Sequence, residues 1–366
     1  MESAAVRSIA EDQEAIQNSQ NAGSQIALPA PRALQLWYLV KAIRPRQWTK
    51  NLLVFAGIVF AQRVLDFGAL GRAVGAFVVF CLLSGLVYLI NDLKDLESDR
   101  QHPTKCRRPL ASGKLAISTA IGGIIAIAIL ATLLTILLLI WPGAVGMAQS
   151  LHVTFLPLRI SLVPSPPQPV GSQYGVLGNL GGGRYLFAVV VAAYVGLNLA
   201  YTYRLKHVVI IDVFCIAGGF VLRAIAGAVV IPVPISPWLY LCTILLSLFI
   251  ALGKRRQELM LLENDATAHR RILREYSPQL LDQMMTIVTS ATVMAYSLYT
   301  FQSTTGNHRL MITIPFVLYG IFRYLYLIYM KMEGGSPEEI LLKDKHILGS
   351  VVLCILTMLA LLYLTI

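Results

Sequence analysis

Gly71-Arg72-Ala73-Val74-Gly75-Ala76-Phe77-Val78-Val79-Phe80-Cys81-Leu82-Leu83-Ser84-Gly85-Leu86-Val87-Tyr88-Leu89-Ile90 runs for twenty residues with one charge, then meets Asn91-Asp92-Leu93-Lys94-Asp95-Leu96-Glu97-Ser98-Asp99. Twenty or so apolar residues is the length of an α-helix that crosses the hydrocarbon core of a bilayer. The acidic run follows directly, so Asp92 is expected at or just inside the membrane boundary.

The pattern repeats outward from this stretch. Hydrophobic residues make up 56 % of the 366-residue chain and charged residues only 13 %, with a mean hydropathy of +0.67. A soluble domain carries about a quarter charged residues, so lipid must be a large part of this protein's solvent. Further apolar stretches lie at 51–65, 115–141, 185–200, 208–230, 237–253, 280–301, 310–330 and 346–366, those at 51–65 and 185–200 being short. The expected fold class is an all-α integral membrane protein with nine transmembrane helices. Residues 1–36 are polar and lack an apolar core, which points to a disordered cytoplasmic leader rather than a signal peptide. Residues 142–184 carry several prolines and Gly181-Gly182-Gly183, and read as a long external loop.

The formal charge of +11 invites a nucleic-acid reading, but the positions of the basic residues argue against it. Segments 41–50, 92–114, 201–207, 254–275 and 331–345 hold 21 Lys and Arg. The alternate connections hold five: Arg63, Arg72, Arg159, Arg184 and Arg309. Cytoplasmic loops carry the excess of positive charge. That rule places the N-terminus and the charged loops on the cytoplasmic side of the cell membrane and the C-terminus outside. No CxxC spacing occurs among Cys81, Cys106, Cys215, Cys242 and Cys354, so these read as small packing residues.

Four charged groups gather at that one face. Asp92, Asp95 and Asp99 are spaced i, i+3, i+7, which on one helix puts them within about a 60° arc. Carboxylates near a bilayer are costly and repel one another, and a divalent cation relieves both problems. Hard oxygen ligands suit Mg²⁺. His102, Lys105, Arg107, Arg108 and Lys114 follow at once, as a phosphate-holding cluster would. The plainer account is a solvated loop with ion pairs along a helix, and Asn91 at the span end weighs against it.

The second group is Tyr201-Thr202-Tyr203-Arg204-Leu205-Lys206-His207 with Asp212 and Arg223, which share a helix face with Gly219. At eleven residues apart Asp212 and Arg223 are about 16 Å from each other along a helix, too far to meet. The third, Lys254-Arg255-Arg256-Gln257-Glu258, would serve equally as a positive-inside anchor. The fourth is Arg44-Pro45-Arg46-Gln47-Trp48-Thr49-Lys50-Asn51; an interfacial aromatic belt explains Trp48 but leaves Lys50 and Asn51 entering the span unexplained. Metal, acids and cations at one face fit metal-assisted handling of a pyrophosphate with a lipid co-substrate.

Asn91-Asp92-x-x-Asp95-x-x-x-Asp99 resembles the first signature of the UbiA superfamily of intramembrane prenyltransferases, over about residues 38–366 apart from 142–184. The resemblance implies a UbiA-type bundle of nine helices. Other runs are similar to the phosphoribosyl-transferring branch of that superfamily. These are Arg44 to Asn51, Asp99-Arg100-x-His102-Pro103-Thr104-Lys105 with Arg108-Pro109, and Tyr203-x-Leu205-Lys206-His207 with Asp212. Gly253-Lys254-Arg255 with Glu258, and Pro337-Glu338-Glu339-Ile340 with Asp344, complete the set. The second acidic motif of the aromatic prenyltransferases is incomplete, since Ile216 stands four residues after Asp212.

The resemblance implies transfer of 5-phosphoribose from 5-phosphoribosyl 1-pyrophosphate to a decaprenyl-like polyprenyl phosphate, supplying arabinan precursors for a cell envelope. Asp92, Asp95 and Asp99 would hold Mg²⁺. Lys105, Arg108, Lys206, Lys254 and more weakly Arg255 would grip phosphates, with Asn91, His102, Tyr203, Arg223 and Glu258 lining the substrate. Lys50 and Asn51 would serve the lipid phosphate, and Asp212 a second metal or a ribose hydroxyl. No nucleic-acid partner is expected, and a homo-oligomer is compatible with this reading. Two other functions share the features: an aromatic or quinone-type prenyltransferase using a prenyl diphosphate, and a carrier or channel. The carrier predicts charges spread across membrane depth, whereas here they gather at one face.

Overall fold

The structure is a computed structural model. It describes residues 31–61, 63–101, 105–140, 152–155, 158–161, 184–231, 237–263, 275–301, 308–331, 340 and 343–363. Most of the expected leader, His102, most of the 142–184 stretch and Pro337-Glu338-Glu339 lie outside the described residues.

The regular elements among the described residues are helical except for one short hairpin. In chain order they form α1 (Arg32–Ala42), a 3-10 segment (Pro45–Phe55), α2 (Ala56–Phe60), α3 (Phe67–Lys94), α4 (Leu96–Arg100) and α5 (Ile117–Ile140). Then follow α6 (Arg184–Tyr203), α7 (Ile211–Val230), α8 (Pro237–Glu263), α9 (Pro278–Phe301), α10 (Ile314–Met330) and α11 (Lys345–Tyr363). Within 142–184, β1 (His152–Phe155) pairs antiparallel with β2 (Leu158–Ser161), structure that the loop reading of this stretch did not anticipate.

Helix is the form these sequences must take in lipid, because every backbone N–H and C=O has to be paired within the segment. Six described helices are long and apolar enough to cross a membrane: Phe67–Lys94, Ile117–Ile140, Tyr185–Tyr203, Ile211–Val230, Pro278–Phe301 and Arg309–Met330. The 27-residue α8 covers the stretch expected at 237–253, and Lys345–Leu361 is a shorter apolar helix. On α5 the outward residues Ile117, Ile121, Ile125, Ile129 and Leu133 are about half exposed and recur every four positions, a stripe suited to lipid contact.

One expected span takes another form. The 51–65 stretch is not a single α-helix but the end of the 3-10 segment followed by the five-residue α2. The reason is a close backbone crossing with α7. A Cβ on Gly227 would stand 1.8 Å from the carbonyl oxygen of Val54, and one on Gly57 would stand 3.0 Å from Cα of Ala228. Only residues without side chains permit that approach.

The chain divides into two compact units, Met1–Arg44 with Tyr88–Ala126, and Pro45–Val87 with Ile127–Ile366. In the first, Gln35 of α1 satisfies the entry to α5: its Nε2 donates to the Lys114 carbonyl at 3.1 Å and its Oε1 accepts the Ala116 N–H at 3.0 Å. In the second, an apolar core joins Val213 and Ala217 of α7 to Leu252 of α8, Met285 of α9 and Ile328 of α10.

Candidate active site

The acidic run does not lie on one unbroken helix. α3 ends at Lys94, Asp95 takes φ −94° and ψ 12°, and α4 restarts at Leu96. The turn is nearly continuous, since Asp95 N–H donates to Asn91 and Asp99 N–H to Asp95. Asp92 and Asp99 are buried, and Asn91 and Asp95 half-buried.

In the first unit these carboxylates meet arginines rather than each other. Arg44 donates to Asp92 at 2.5 Å and lies 4.8 Å over the Tyr88 ring. Arg108 Nη1 donates to Asp92 at 3.1 Å and to Asp99 at 2.5 Å. Two buried carboxylates without these cations would be far costlier than the pairs are stabilising. Arg44 reaches Asp92 from a backbone at φ 55°, directly before Pro45, a conformation rare for a residue with a side chain.

Arg108 shows that two hard oxygen donors face a single point, which is the donor chemistry of a Mg²⁺ site. Asp92 and Asp99 therefore fit a divalent cation. Among the described residues, however, no group of three or more His, Cys, Asp or Glu side chains is arranged to hold a metal ion, so Asp95 does not close on the other two. Lys105 opens a short 3-10 turn, Lys105–Arg107, that brings Arg108 back to the carboxylates.

The second unit holds two buried networks. In one, Arg223 donates from Nε to Asn51 at 2.7 Å, from Nη1 to the Gly219 carbonyl at 2.8 Å and from Nη2 to Tyr194 at 2.8 Å. Asn51 is fully buried and its amide donates to Cys81 and Ser84 at 3.3 Å. Asn51 thus holds Arg223 by a hydrogen bond that a carboxylate would usually supply. Asn51→Ala is expected to lose about 1–3 kcal/mol, because the buried Nε then has no acceptor. Thermal melting in detergent checks it, and Asn51→Asp, which keeps the acceptor, should melt closer to the parent; equal melting of Asn51→Ala and the parent would refute the account.

In the other network Asp212, fully buried, accepts from Arg255 Nε at 2.6 Å and from the Tyr276 hydroxyl at 2.8 Å. Arg255 also bonds Glu258, and its Nη2 donates to Tyr201 at 3.2 Å. Both oxygens of Asp212 are thus engaged within the protein, and Arg255 is buried behind it. As expected, Asp212 and Arg223 do not meet; each has other partners.

The remaining candidates differ in exposure. Lys50 is half-buried, its Nζ 3.4 Å from Gln47 Oε1. Tyr203 is exposed at the last residue of α6, Lys206 is buried and Lys254 half-buried. Asp344 is held below the usual carboxylate range, first by the hydrogen bond from Arg323, and its Oδ1 accepts the His346 and Ile347 amides at the start of α11. Arg44, Tyr194 and Tyr276 were not singled out as site residues. Tyr194 lies seven residues before Tyr201 on the same apolar helix, a spacing that would have shown two hydroxyls on one face; for Tyr276 the sequence offers no comparable signal.

The UbiA prenyltransferase family model matches residues 51–185. Decaprenyl-phosphate phosphoribosyltransferase of Mycolicibacterium smegmatis is 34 % identical over 327 residues, 84 % of this chain and 86 % of that protein. The chain belongs to the UbiA prenyltransferase family. Decaprenyl-phosphate phosphoribosyltransferase of Corynebacterium glutamicum is a second relative, 33 % identical over 84 % of this chain and 81 % of its own length. The UbiA fold is also seen in space: a UbiA homologue from Archaeoglobus fulgidus, solved with GPP and Mg²⁺, superposes with a TM-score of 0.58 at 16 % identity, covering 88 % of this chain and 98 % of that one.

Proposed function

We propose that this chain transfers 5-phosphoribose from 5-phosphoribosyl 1-pyrophosphate to a polyprenyl phosphate of the decaprenyl class, releasing pyrophosphate. The observation that carries the choice of donor is Asp212. A prenyl diphosphate calls for a second acidic cluster, and here the residue at that place is locked to Arg255 and Tyr276, with Ile216 where a partner carboxylate would stand. The relatives named as decaprenyl-phosphate phosphoribosyltransferases support the same reading.

In this reading a lipid phosphate oxygen attacks the anomeric carbon, the bond from that carbon to pyrophosphate breaks, and polyprenyl phosphoryl 5-phosphoribose forms. The attacking phosphate is ionised at neutral pH, so no strong general base is needed. Asp92 and Asp99 would hold the metal, and Asp95, half-buried at the break between α3 and α4, stands beside them without closing on the same point. A divalent cation held there would supply charge neutralisation for the departing pyrophosphate. Arg108 and Lys105 turn to the phosphates once the carboxylates are occupied, and Lys206 and Lys254 grip phosphates in the second unit. Arg223 and Asn51 keep the apolar bundle in register.

The same reading places nine crossings in the cell membrane, with the N-terminus and the carboxylates at the cytoplasmic face, the C-terminus outside, and the product feeding arabinan synthesis. Membranes containing the protein, given labelled phosphoribosyl pyrophosphate or labelled prenyl diphosphate, test the donor. Label is expected in lipid from the sugar donor, with Mg²⁺ present and with equal release of pyrophosphate. Label entering lipid from the prenyl donor alone would overturn it.

A further inference from the structure

Between the Leu205–His207 turn and Ile211, the first residue of α7, the chain passes through Val208, Val209 and Ile210. Ile210 has φ 68° and ψ −46°, and the Ile211 N–H donates to the Val209 carbonyl at 2.8 Å. An i to i+2 hydrogen bond around a residue with positive φ and negative ψ is the rare, strained form of γ-turn. A β-branched residue is among the least suited to it. Packing of its side chain is not the reason for the choice, since Ile210 is 42 % exposed. Something else must hold the turn.

That something is one hydroxyl. The Ile210 N–H donates to Tyr276 Oη at 2.7 Å, and the same hydroxyl donates to Asp212 Oδ1 at 2.8 Å. Tyr276 comes from the other end of the α8–α9 connection, two residues before α9, and is buried. Asp212 is in turn fixed by Arg255. One phenol thus ties the strained amide to the first turn of α7. Four residues before Ile210 stands Lys206, buried in the short 3-10 turn whose His207 and Val208 amides bond back to Arg204 and Leu205. Burial, and then the neighbouring carboxylate, push the Tyr276 hydroxyl up to about 12, so it stays a donor across the working pH range.

We propose that Tyr276 is a positioning residue for the transfer reaction: by holding Ile210 in the strained γ-turn it fixes where Lys206 presents its ammonium to a substrate phosphate. The inference rests on the reading of Lys206 as a phosphate-gripping residue. It assigns Asp212 to the same latch, which explains why a carboxylate is kept at the start of α7 with both oxygens hydrogen-bonded within the protein. A relaxed 209–211 segment would let the Lys206 turn shift, and misplacement by about 1 Å can cost on the order of 100-fold.

Tyr276→Phe keeps the ring and removes only the hydroxyl. In the full-length protein in nanodiscs it is expected to raise KM for the sugar donor by roughly 10- to 100-fold, with a smaller effect on kcat. Hydrogen exchange at residues 208–214 should speed up in the same variant. Adding Ile210→Gly should restore both, because glycine adopts the turn without strain. In a Lys206→Met background Tyr276→Phe should add little. Unchanged kinetics in Tyr276→Phe, or a defect that Ile210→Gly does not relieve, would overturn the proposal and leave Tyr276 a packing residue. Were the protein to take label from a prenyl diphosphate instead, the substrate reading fails, and the same kinetic comparison run on that donor decides the latch.

Discussion

Asp92→Asn is expected to lower phosphoribosyl transfer by about 10³-fold, the size of effect seen when a group that stabilises charge on a leaving group is removed. Asparagine keeps the shape of the side chain and takes away the charge on which Arg44 and Arg108 both converge. The structural cost should be smaller than the chemical one. Both arginines are about a quarter exposed, so their cations can turn to water when the carboxylate charge is lost, and Arg108 keeps its bond to Asp99. Initial rates in proteoliposomes, read beside a melting curve, separate the two effects. A variant that melts like the parent and keeps a tenth or more of its rate would remove Asp92 from the metal role.

Gly227→Ala is expected to be the most damaging single methyl group in the second unit. The added carbon would lie 1.8 Å from the Val54 carbonyl oxygen and 2.7 Å from its carbon. Those are backbone atoms, and no rotamer change moves them. Overpacking usually costs about 1–3 kcal/mol and sometimes more; with backbone opposing backbone the upper end is expected. The 3-10 segment must lift from α7, carrying Asn51 away from Arg223, so activity should fall with stability. Gly71→Ala and Gly122→Ala are the controls, since a Cβ there meets nothing within 4 Å and alanine favours the helix. Melting temperatures in detergent decide the matter: equal values for Gly227→Ala and the parent would mean the crossing is looser than described.

The spans were legible because hydrophobic length is a local property. α3 and α5, for example, lie where the apolar runs at 71–90 and 115–141 put them. Apolar content does not distinguish an α-helix from a 3-10 segment, however, and nothing local at 51–65 announces that Val54 must meet Gly227 from 173 residues away. The acidic run shows the same limit. Spacing placed three carboxylates on one helix face, whereas the break at Asp95 and the return of Arg108 decide which of them converge. Arg44 stood in a quoted run, yet its positive φ before Pro45 is not written in any residue type. The Arg255–Asp212 pair joins positions 43 apart in sequence; Asp212 stood out because charge inside a membrane marks function by default, whereas Arg255 read first as an anchor at the end of a span. Pairing between helices is what that rule cannot see.

The four groups Arg44, Asp92, Asp99 and Arg108 carry two positive and two negative charges, so at any distance beyond their own separation they cancel. This cluster therefore contributes little to drawing an anionic donor out of solution. Long-range attraction falls to the exposed cations of the same unit, Lys41, Lys94, Arg107 and Lys114, whose field salt screens over about 8–10 Å. Ionic strength should consequently govern how often the donor arrives, while the paired quartet governs only what happens after it does.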